Sequence, residues 1–290
     1  MGEVLDLTSL RSQLFSQVEK ERKKIKKRIA LASFCIGEDA SSLLYISIQK
    51  KLAQKLGVEY KLYSFSSGVS FAKIAKLLAS LNKDSTVGGI IIHRPLPKKK
   101  WEAGIFSLIS PYKDIEGITP YNLGRTMLGT SLFIPPTVLS ILRILEELKI
   151  DLYGKDVVLV GFSPHIGKPL SVLLLDKLAT LSITHIATYK RKKLPFYLRR
   201  ADIVISSVGK PRFLKEEWIK RGAVVIDVGI SSLKGRICGD VDTENVKRKV
   251  SFITPVPGGV GSLTPLYLFL NLFKAYRMRE DEFSAEAGKQ

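Results

Sequence analysis

Short apolar runs alternate with amphipathic stretches along most of this chain. The runs at 29–37 (IALASFCIG), 59–65 (EYKLYSF), 87–93 (VGGIIIH), 156–161 (DVVLVG), 182–188 (SITHIAT), 201–209 (ADIVISSVG) and 222–229 (GAVVIDVG) predict strands. Between them, 41–56, 70–82, 137–148, 168–179 and 215–221 carry a helical pattern. Strands that are apolar throughout and separated by helices belong in parallel sheets covered on both faces, so the fold class is α/β. Pro135 and Pro136 mark an extended bridge, with Thr137 placed to cap the next helix. The expected domains are 1–135 and 136–263. A last helix, 264–280, is strongly apolar at its start and is expected to pack back on the first domain, leaving 281–290 as a frayed tail. The first fifteen residues read as an amphipathic helix.

Charge narrows the partners without choosing one. Lys and Arg number 46 against 27 Asp and Glu, a net +19. That excess favours anionic ligands or surfaces. Much of it lies in runs at 20–28, 98–100 and 190–193, which a solvated face would also explain. No groove-reading motif or aromatic platform accompanies them, which argues against nucleic acid. Only Cys35 and Cys238 occur, with no zinc or disulfide spacing, so a reducing compartment is expected. The N-terminal stretch lacks a basic and apolar leader pattern, and LTPLYLFLNLF is too short to span a bilayer. A cytoplasmic protein without membrane contact is the expectation.

Chemistry first shows at DVVLVGFSPHIGKP. Gly161 ends a strand and Gly167 opens a helix, the context in which backbone N–H groups meet a pyrophosphate. Ser163 adds a hydroxyl. The spacing is Gly-x5-Gly rather than G-x-G-x-x-G, and an ordinary tight turn would look the same. After the next strand, Tyr189, Lys190 and Arg191 stand where an acidic residue would select NAD. Basic residues there favour a 2′-phosphate and so NADP, with NAD left open. SSVGKP (206–211) and IDVGIS (226–231) close further strands and add to the cofactor wall.

Four more stretches complete a pattern: YISIQKK after GEDASSLL, HRPLP, YKDIEGITPYNLGR and ITPVPGGVGSLT. With GFSPHIGKP they resemble the bifunctional methylenetetrahydrofolate dehydrogenase/methenyltetrahydrofolate cyclohydrolase (FolD) family, in order and spacing, from about residue 5 to 279. The resemblance implies an N-terminal catalytic α/β domain, a Rossmann-type NAD(P)-binding domain with a parallel sheet, and a homodimer formed through the nucleotide domains. It implies oxidation of 5,10-methylenetetrahydrofolate, then hydrolysis of the methenyl product to 10-formyltetrahydrofolate. Polyglutamylated folates would suit the basic surface. Carried over by motif, the cofactor residues are Gly161, Phe162, Ser163, Ile166, Gly167, Tyr189, Lys190, Arg191, Val208, Gly209, Gly229 and Ile230. The folate residues are Tyr45, Glu116, Pro257, Gly258 and Gly259.

This chain departs from the pattern where catalysis is expected. The family's Tyr-x-x-x-Lys places Gln49 at the lysine position, four residues after Tyr45. An amine can titrate, whereas an amide can only hydrogen-bond. His93 replaces the family's glutamine in HRPLP and can titrate near neutrality. It is expected either to supply the lost proton chemistry or merely to fill volume. Lys50 lies about 100° round the helix from Gln49 and would leave the site. Glu116 stands for a pterin-gripping aspartate, one methylene longer. Arg94 has two readings, a partner for a glutamate tail or a solvent-facing side chain. The histidines lack partners at metal-ligand spacing, so no metal is expected. Hydride transfer needs chiefly proximity and orientation, so an NADP-dependent dehydrogenase with weakened cyclohydrolase activity is the leading reading. A fully bifunctional enzyme using His93 or Lys50, and a non-catalytic binder, are the alternatives.

Overall fold

The computed structural model describes residues 2–37, 39–98, 101–233 and 235–287. Lys99 and Lys100 of one basic run, Glu38 of the GEDASSLL loop and 288–290 of the tail lie outside the described residues.

In chain order the elements are β1 (Glu3–Val4), α1 (Thr8–Lys23), β2 (Ala30–Ile36), α2 (Ala40–Lys55), β3 (Glu59–Phe65), α3 (Phe71–Lys83), β4 (Val87–Ile92), α4 (Glu102–Ile105), α5 (Pro120–Met127) and α6 (Pro136–Glu147). The second half adds β5 (Asp156–Val160), α7 (Gly167–Leu175), β6 (Thr180–Thr184), α8 (Ile186–Lys190), α9 (Leu194–Leu198), β7 (Ile203–Ser206) and β8 (Val224–Asp227). It ends with β9 (Ser231–Leu233), β10 (Arg236–Cys238), α10 (Thr243–Val246), β11 (Phe252–Ile253) and α11 (Val260–Ala287). Two units emerge, one of residues 15–136 with 265–290, the other of 1–14 with 137–264.

The first unit is built on a parallel three-stranded sheet, β3-β2-β4. Every residue of β2 and β4 is buried, as their unbroken apolar runs require. Phe34, Ile74, Leu78, Ile90 and Ile105 lie in its core. The C-terminal part of α11 belongs to this unit, and the Asn271 amide donates to the carbonyls of Ile115 and Ile134 at 2.8 and 3.0 Å. Gly88 and Gly89 admit this helix. A Cβ on either would stand within 3.0 Å of Leu272 Cδ1. The frayed tail is corrected, because α11 continues to Ala287.

The second unit carries six parallel strands in the order β1-β11-β8-β7-β5-β6, beside an antiparallel β9–β10 hairpin. The chain leaves β5 for β6 on one side and returns to β7 on the other, so the order reverses at β5. Ligands of open α/β sheets bind at such a reversal, outside the carboxyl ends of the strands. Four expectations change here. Residues 1–14, assigned with the first domain, instead join this unit. Glu3 N donates to Ser251 O and Leu5 N to Ile253 O, so β1 satisfies the edge of β11. The strand expected over 182–188 stops at Thr184, because His185 caps α8 by accepting from Ala187 N at 3.2 Å. Tyr189 and Lys190 are therefore helical. The helix expected over 215–221 is a single 3-10 turn, Glu216–Trp218, and the one over 168–179 ends at Leu175.

Candidate active site

Helix α2 starts where Asp39 accepts from Ser42 N at 2.9 Å, an N-cap that satisfies one orphan donor of the first turn. Ser42 Oγ then donates to Arg94 O at 2.8 Å, tying this turn to the HRPLP loop after β4. One and two turns further on, Tyr45 and Gln49 face the sheet. Gln49 is fully buried, whereas Lys50 and Lys51 are exposed. Lys50 therefore lies off the buried face that carries Gln49.

Gln49 Oε1 accepts a 2.7 Å hydrogen bond from Tyr60 Oη. Tyr60 Oη is also 2.8 Å from Ser33 Oγ, which lies 2.9 Å from His93 Nε2. Gln49 Nε2 is buried and meets no partner at hydrogen-bond geometry, although the Tyr45 hydroxyl lies close enough to feel the amide. Burial, and secondarily the Glu116 charge, push the Tyr45 hydroxyl well above its usual value. Burial pushes Tyr60 up to about 12. The His93 ring, edge-on to Tyr45 at 6.1 Å, is pushed down to about 4 by burial and then by Arg94. It is therefore neutral near pH 7.

Arg94 does not point freely into solvent. Its guanidinium stacks 5.7 Å from the Phe106 ring, and Nη1 is buried without a partner. Burial lowers its pKa, opposed by Glu116 and Glu102. Glu116 follows Lys113–Asp114, which runs beside β4 through the bond from Ile90 N to Lys113 O. Asp114 fixes this loop by accepting from Ile118 N, Thr119 N and Asn122 Nδ2. Lys113 Nζ is spent on the carbonyls of Leu81 and Asp84. The Glu116 carboxyl is pushed up to about 7 by burial, with Arg94 pulling it down and Asp114 pushing it up. Among these groups, Glu116 titrates nearest neutrality.

The glycine loop lies in the other unit. Gly161 has φ +112, and a Cβ there would stand 2.7 Å from Ser207 O. A Cβ on Gly167 would meet Gly161 O and the Phe162 Cα at 2.7 Å. Only glycine fits either place, which leaves the start of α7 bare for a ligand's phosphates. Ser163 Oγ accepts from Ile166 N at 3.2 Å, shaping the same turn. Phe162 is exposed with Lys168 5.7 Å over its ring. Tyr189 packs edge-on to Phe213 at 4.9 Å with Lys210 above it, and Lys190 and Arg191 are exposed beside it. These features fit a dinucleotide.

Val208 and Gly209 sit in a loop held by Asp240, which accepts from Ser206 Oγ, Val208 N and Lys210 N at 2.7–2.9 Å. Asp227 accepts from Gly229 N, Asp240 N and Val241 N. Burial pushes Asp227 up to about 7 against those bonds. Each carboxylate also leans on the other's neighbour. A Cβ on Gly229 would meet Asp240 at 2.2 Å, and one on Gly239 would meet Asp227 at 2.0 Å. Gly229 thus owes its identity to Asp240, whatever it offers a cofactor. Ile230 is exposed next to it.

The structure groups Tyr45, Gln49, His93 and Glu116 in one unit, and Pro257, Gly258 and Gly259 belong to the other. Gly259 is buried, where a Cβ would stand 2.3 Å from Pro255 O. Sequence reasoning missed Ser33, Tyr60, Asp114, Asp227 and Asp240. The two first sit on strand positions that read as core or sheet edge. Among the described residues no cluster of three or more His, Cys, Asp or Glu could hold a metal.

Residues 5–116 match the tetrahydrofolate dehydrogenase/cyclohydrolase catalytic domain, and residues 135–280 match the NAD(P)-binding domain of the same family. The bifunctional protein FolD of Clostridium tetani is 41% identical over 92% of this chain and 95% of its own. The crystal structure of the Campylobacter jejuni FolD methylenetetrahydrofolate dehydrogenase/cyclohydrolase superposes with a TM-score of 0.88 at 34% identity, covering 96% of this chain and 100% of that one. A Trypanosoma brucei homologue, solved with NADP and an inhibitor, gives 0.89 at 27% identity, over 96% and 98% of the two chains. The open parallel sheet with its reversal at β5, the bare glycine turn and the polar cluster around Gln49 thus sit in a known frame: the chain belongs to the tetrahydrofolate dehydrogenase/cyclohydrolase (FolD) family, with a catalytic domain and an NAD(P)-binding domain.

Proposed function

We propose that this folate one-carbon enzyme oxidises 5,10-methylenetetrahydrofolate with NADP+ and hydrolyses the methenyl product only slowly. The observation that carries this is Gln49, buried at the family's lysine position with its carbonyl already engaged by Tyr60. NADP+, when bound, accepts the hydride. Tyr45, Glu116, Pro257, Gly258 and Gly259 are the residues that the family pattern gives to the folate. Oriented reactants need no proton relay for hydride transfer. Adding water to the methenyl carbon does require a proton to leave that water. Gln49 cannot take it, and His93, held down to about 4, is a weak base at neutral pH.

NADP is favoured over NAD because 185–193 holds no acidic residue and presents Lys190 and Arg191. Gly161, Phe162, Ser163, Ile166 and Gly167 would take the pyrophosphate, and Val208, Gly209, Gly229 and Ile230 the nicotinamide side. The homodimer reading draws support from the free edge of the six-stranded sheet. Around β6, Leu175, Leu178, Ile183 and Ile186 are 53, 62, 38 and 55% exposed, an apolar set that a second copy would cover. No helix among the described residues is long and apolar enough to cross a membrane. A cytoplasmic location is the accompanying proposal.

The test follows both products during turnover of 5,10-methylenetetrahydrofolate with NADP+. Methenyl should accumulate ahead of 10-formyl product. Formation of both at one rate would refute weak hydrolysis, and no turnover at all would leave a binding protein.

A further inference from the structure

Gln49, Tyr60, Ser33 and His93 form one unbroken hydrogen-bonded chain of 2.7, 2.8 and 2.9 Å steps. The hydroxyls in its middle stand on the adjacent strands β3 and β2. Each hydroxyl has one proton and sits between two neighbours, so the chain must run in one direction or the other. In the first arrangement Tyr60 donates to Gln49 Oε1. Its oxygen then accepts from Ser33, and Ser33 accepts from a protonated His93 Nε2. In the second the amide is turned over, and its NH2 donates to Tyr60. Tyr60 donates to Ser33, and Ser33 donates to a bare Nε2.

A neutral imidazole carries a single ring proton. That proton is on Nε2 in the first arrangement and on Nδ1 in the second. The opposite edge of the Gln49 amide, buried beside Tyr45, is then NH2 in the first and carbonyl in the second. A carbonyl edge can hold the hydrogen of a water. An NH2 edge can hold only a lone pair on the substrate.

We propose that Ser33 and Tyr60 are positioning residues that couple the tautomer of His93 to the edge, donor or acceptor, that the Gln49 amide presents beside Tyr45. The proposal deepens the functional reading above and rests on it for the identity of the ligand. The coupling itself needs no ligand.

Nuclear magnetic resonance of the full chain labelled with 15N-histidine reads the ring nitrogens directly. His93 is distinguished from the other two histidines by the signals that His93→Gln removes. Gln49→Glu, ionised at high pH, can only accept, so it should force the proton onto His93 Nε2. Gln49→Lys, as an ammonium, can only donate, so it should force the proton onto Nδ1. Adding Tyr60→Phe to either variant should abolish the difference. Ser33→Ala breaks the same chain one link nearer His93 and serves if Tyr60→Phe does not fold. Identical tautomers in the two Gln49 variants, or a difference that survives the broken chain, would overturn the coupling.

In steady-state turnover, Tyr60→Phe alone should lower kcat for hydride transfer about tenfold with little change in KM. Unchanged kcat alongside a responsive tautomer would overturn the positioning role. If the unmodified protein oxidises no folate, the functional reading fails separately, and the ring signals alone judge the coupling.

Discussion

In the nucleotide-binding unit, Asp227 and Asp240 are buried carboxylates whose oxygens are met by backbone amides and the Ser206 hydroxyl. In the catalytic unit, Gln49 Nε2 and Arg94 Nη1 are buried atoms that have no partner. Buried polar atoms are nearly always paired, because an unmade bond costs about 1–3 kcal/mol. A network that is fully paired holds loops in place. One that leaves edges unpaired in a cluster is arranged for something that is not part of the chain.

The comparison breaks most readily at the scaffold. Asp240→Ala strands three donors at once and should cost roughly 3 kcal/mol in a denaturant titration. KM for the dinucleotide should rise more than about tenfold as the 206–210 loop loosens. Gly229→Ala drives a Cβ to 2.2 Å from Asp240 and should cost about 1–3 kcal/mol by forcing the Asp240 carboxylate to shift. Retained stability in both variants would show that the clasp is not what fixes these loops.

Glu116 sharpens the comparison through pH. Its carboxyl stands at about 7, above the ordinary 4.5, so the folded protein binds this proton more tightly than the unfolded chain does. The stabilising contribution is fully present below about 4.5 and is lost as pH rises through 7. In urea titrations at pH 5 and 7.5, Glu116→Gln should lose less stability between the two than the unmodified protein. If ionised Glu116 grips the folate, kcat/KM should rise across pH 6–8, and Glu116→Gln should flatten the profile. The smallest effect belongs to Lys50→Ala. The residue is exposed, so stability should stay within about 0.5 kcal/mol and the product ratio should not change.

Much of the fold was legible because periodicity reports burial. β2, β4, β5, β7 and β8 are apolar runs inside sheets covered on both faces, and all five lie where the runs predict them. Two-residue strands such as β1 and β11 carry too little pattern to announce themselves, so the pairing of the N-terminal segment with β11 was not legible. The 182–188 strand failed for a local reason. His185, apolar enough in context to continue the run, spends its ring on a helix cap. Motif register singled out Tyr45, Gln49, His93 and Glu116, which the structure places in one unit. Ser33 and Tyr60 were not, since a serine in a core strand and a tyrosine at an edge announce no partner until the strands lie side by side. Arg94 needed three dimensions as well, because only packing against Phe106 shows that its head is buried.

The central claim is that a titrating group was lost at Gln49, and supplying the methenyl compound itself tests this most directly. The enzyme-dependent hydrolysis of 5,10-methenyltetrahydrofolate is measured for the unmodified protein and for Gln49→Lys, each also assayed for hydride transfer. Slow hydrolysis is expected in the unmodified protein, with a gain of roughly 10²-fold or more in Gln49→Lys, the scale of general acid–base assistance. Fast hydrolysis in the unmodified protein that Gln49→Lys does not increase would contradict the central claim.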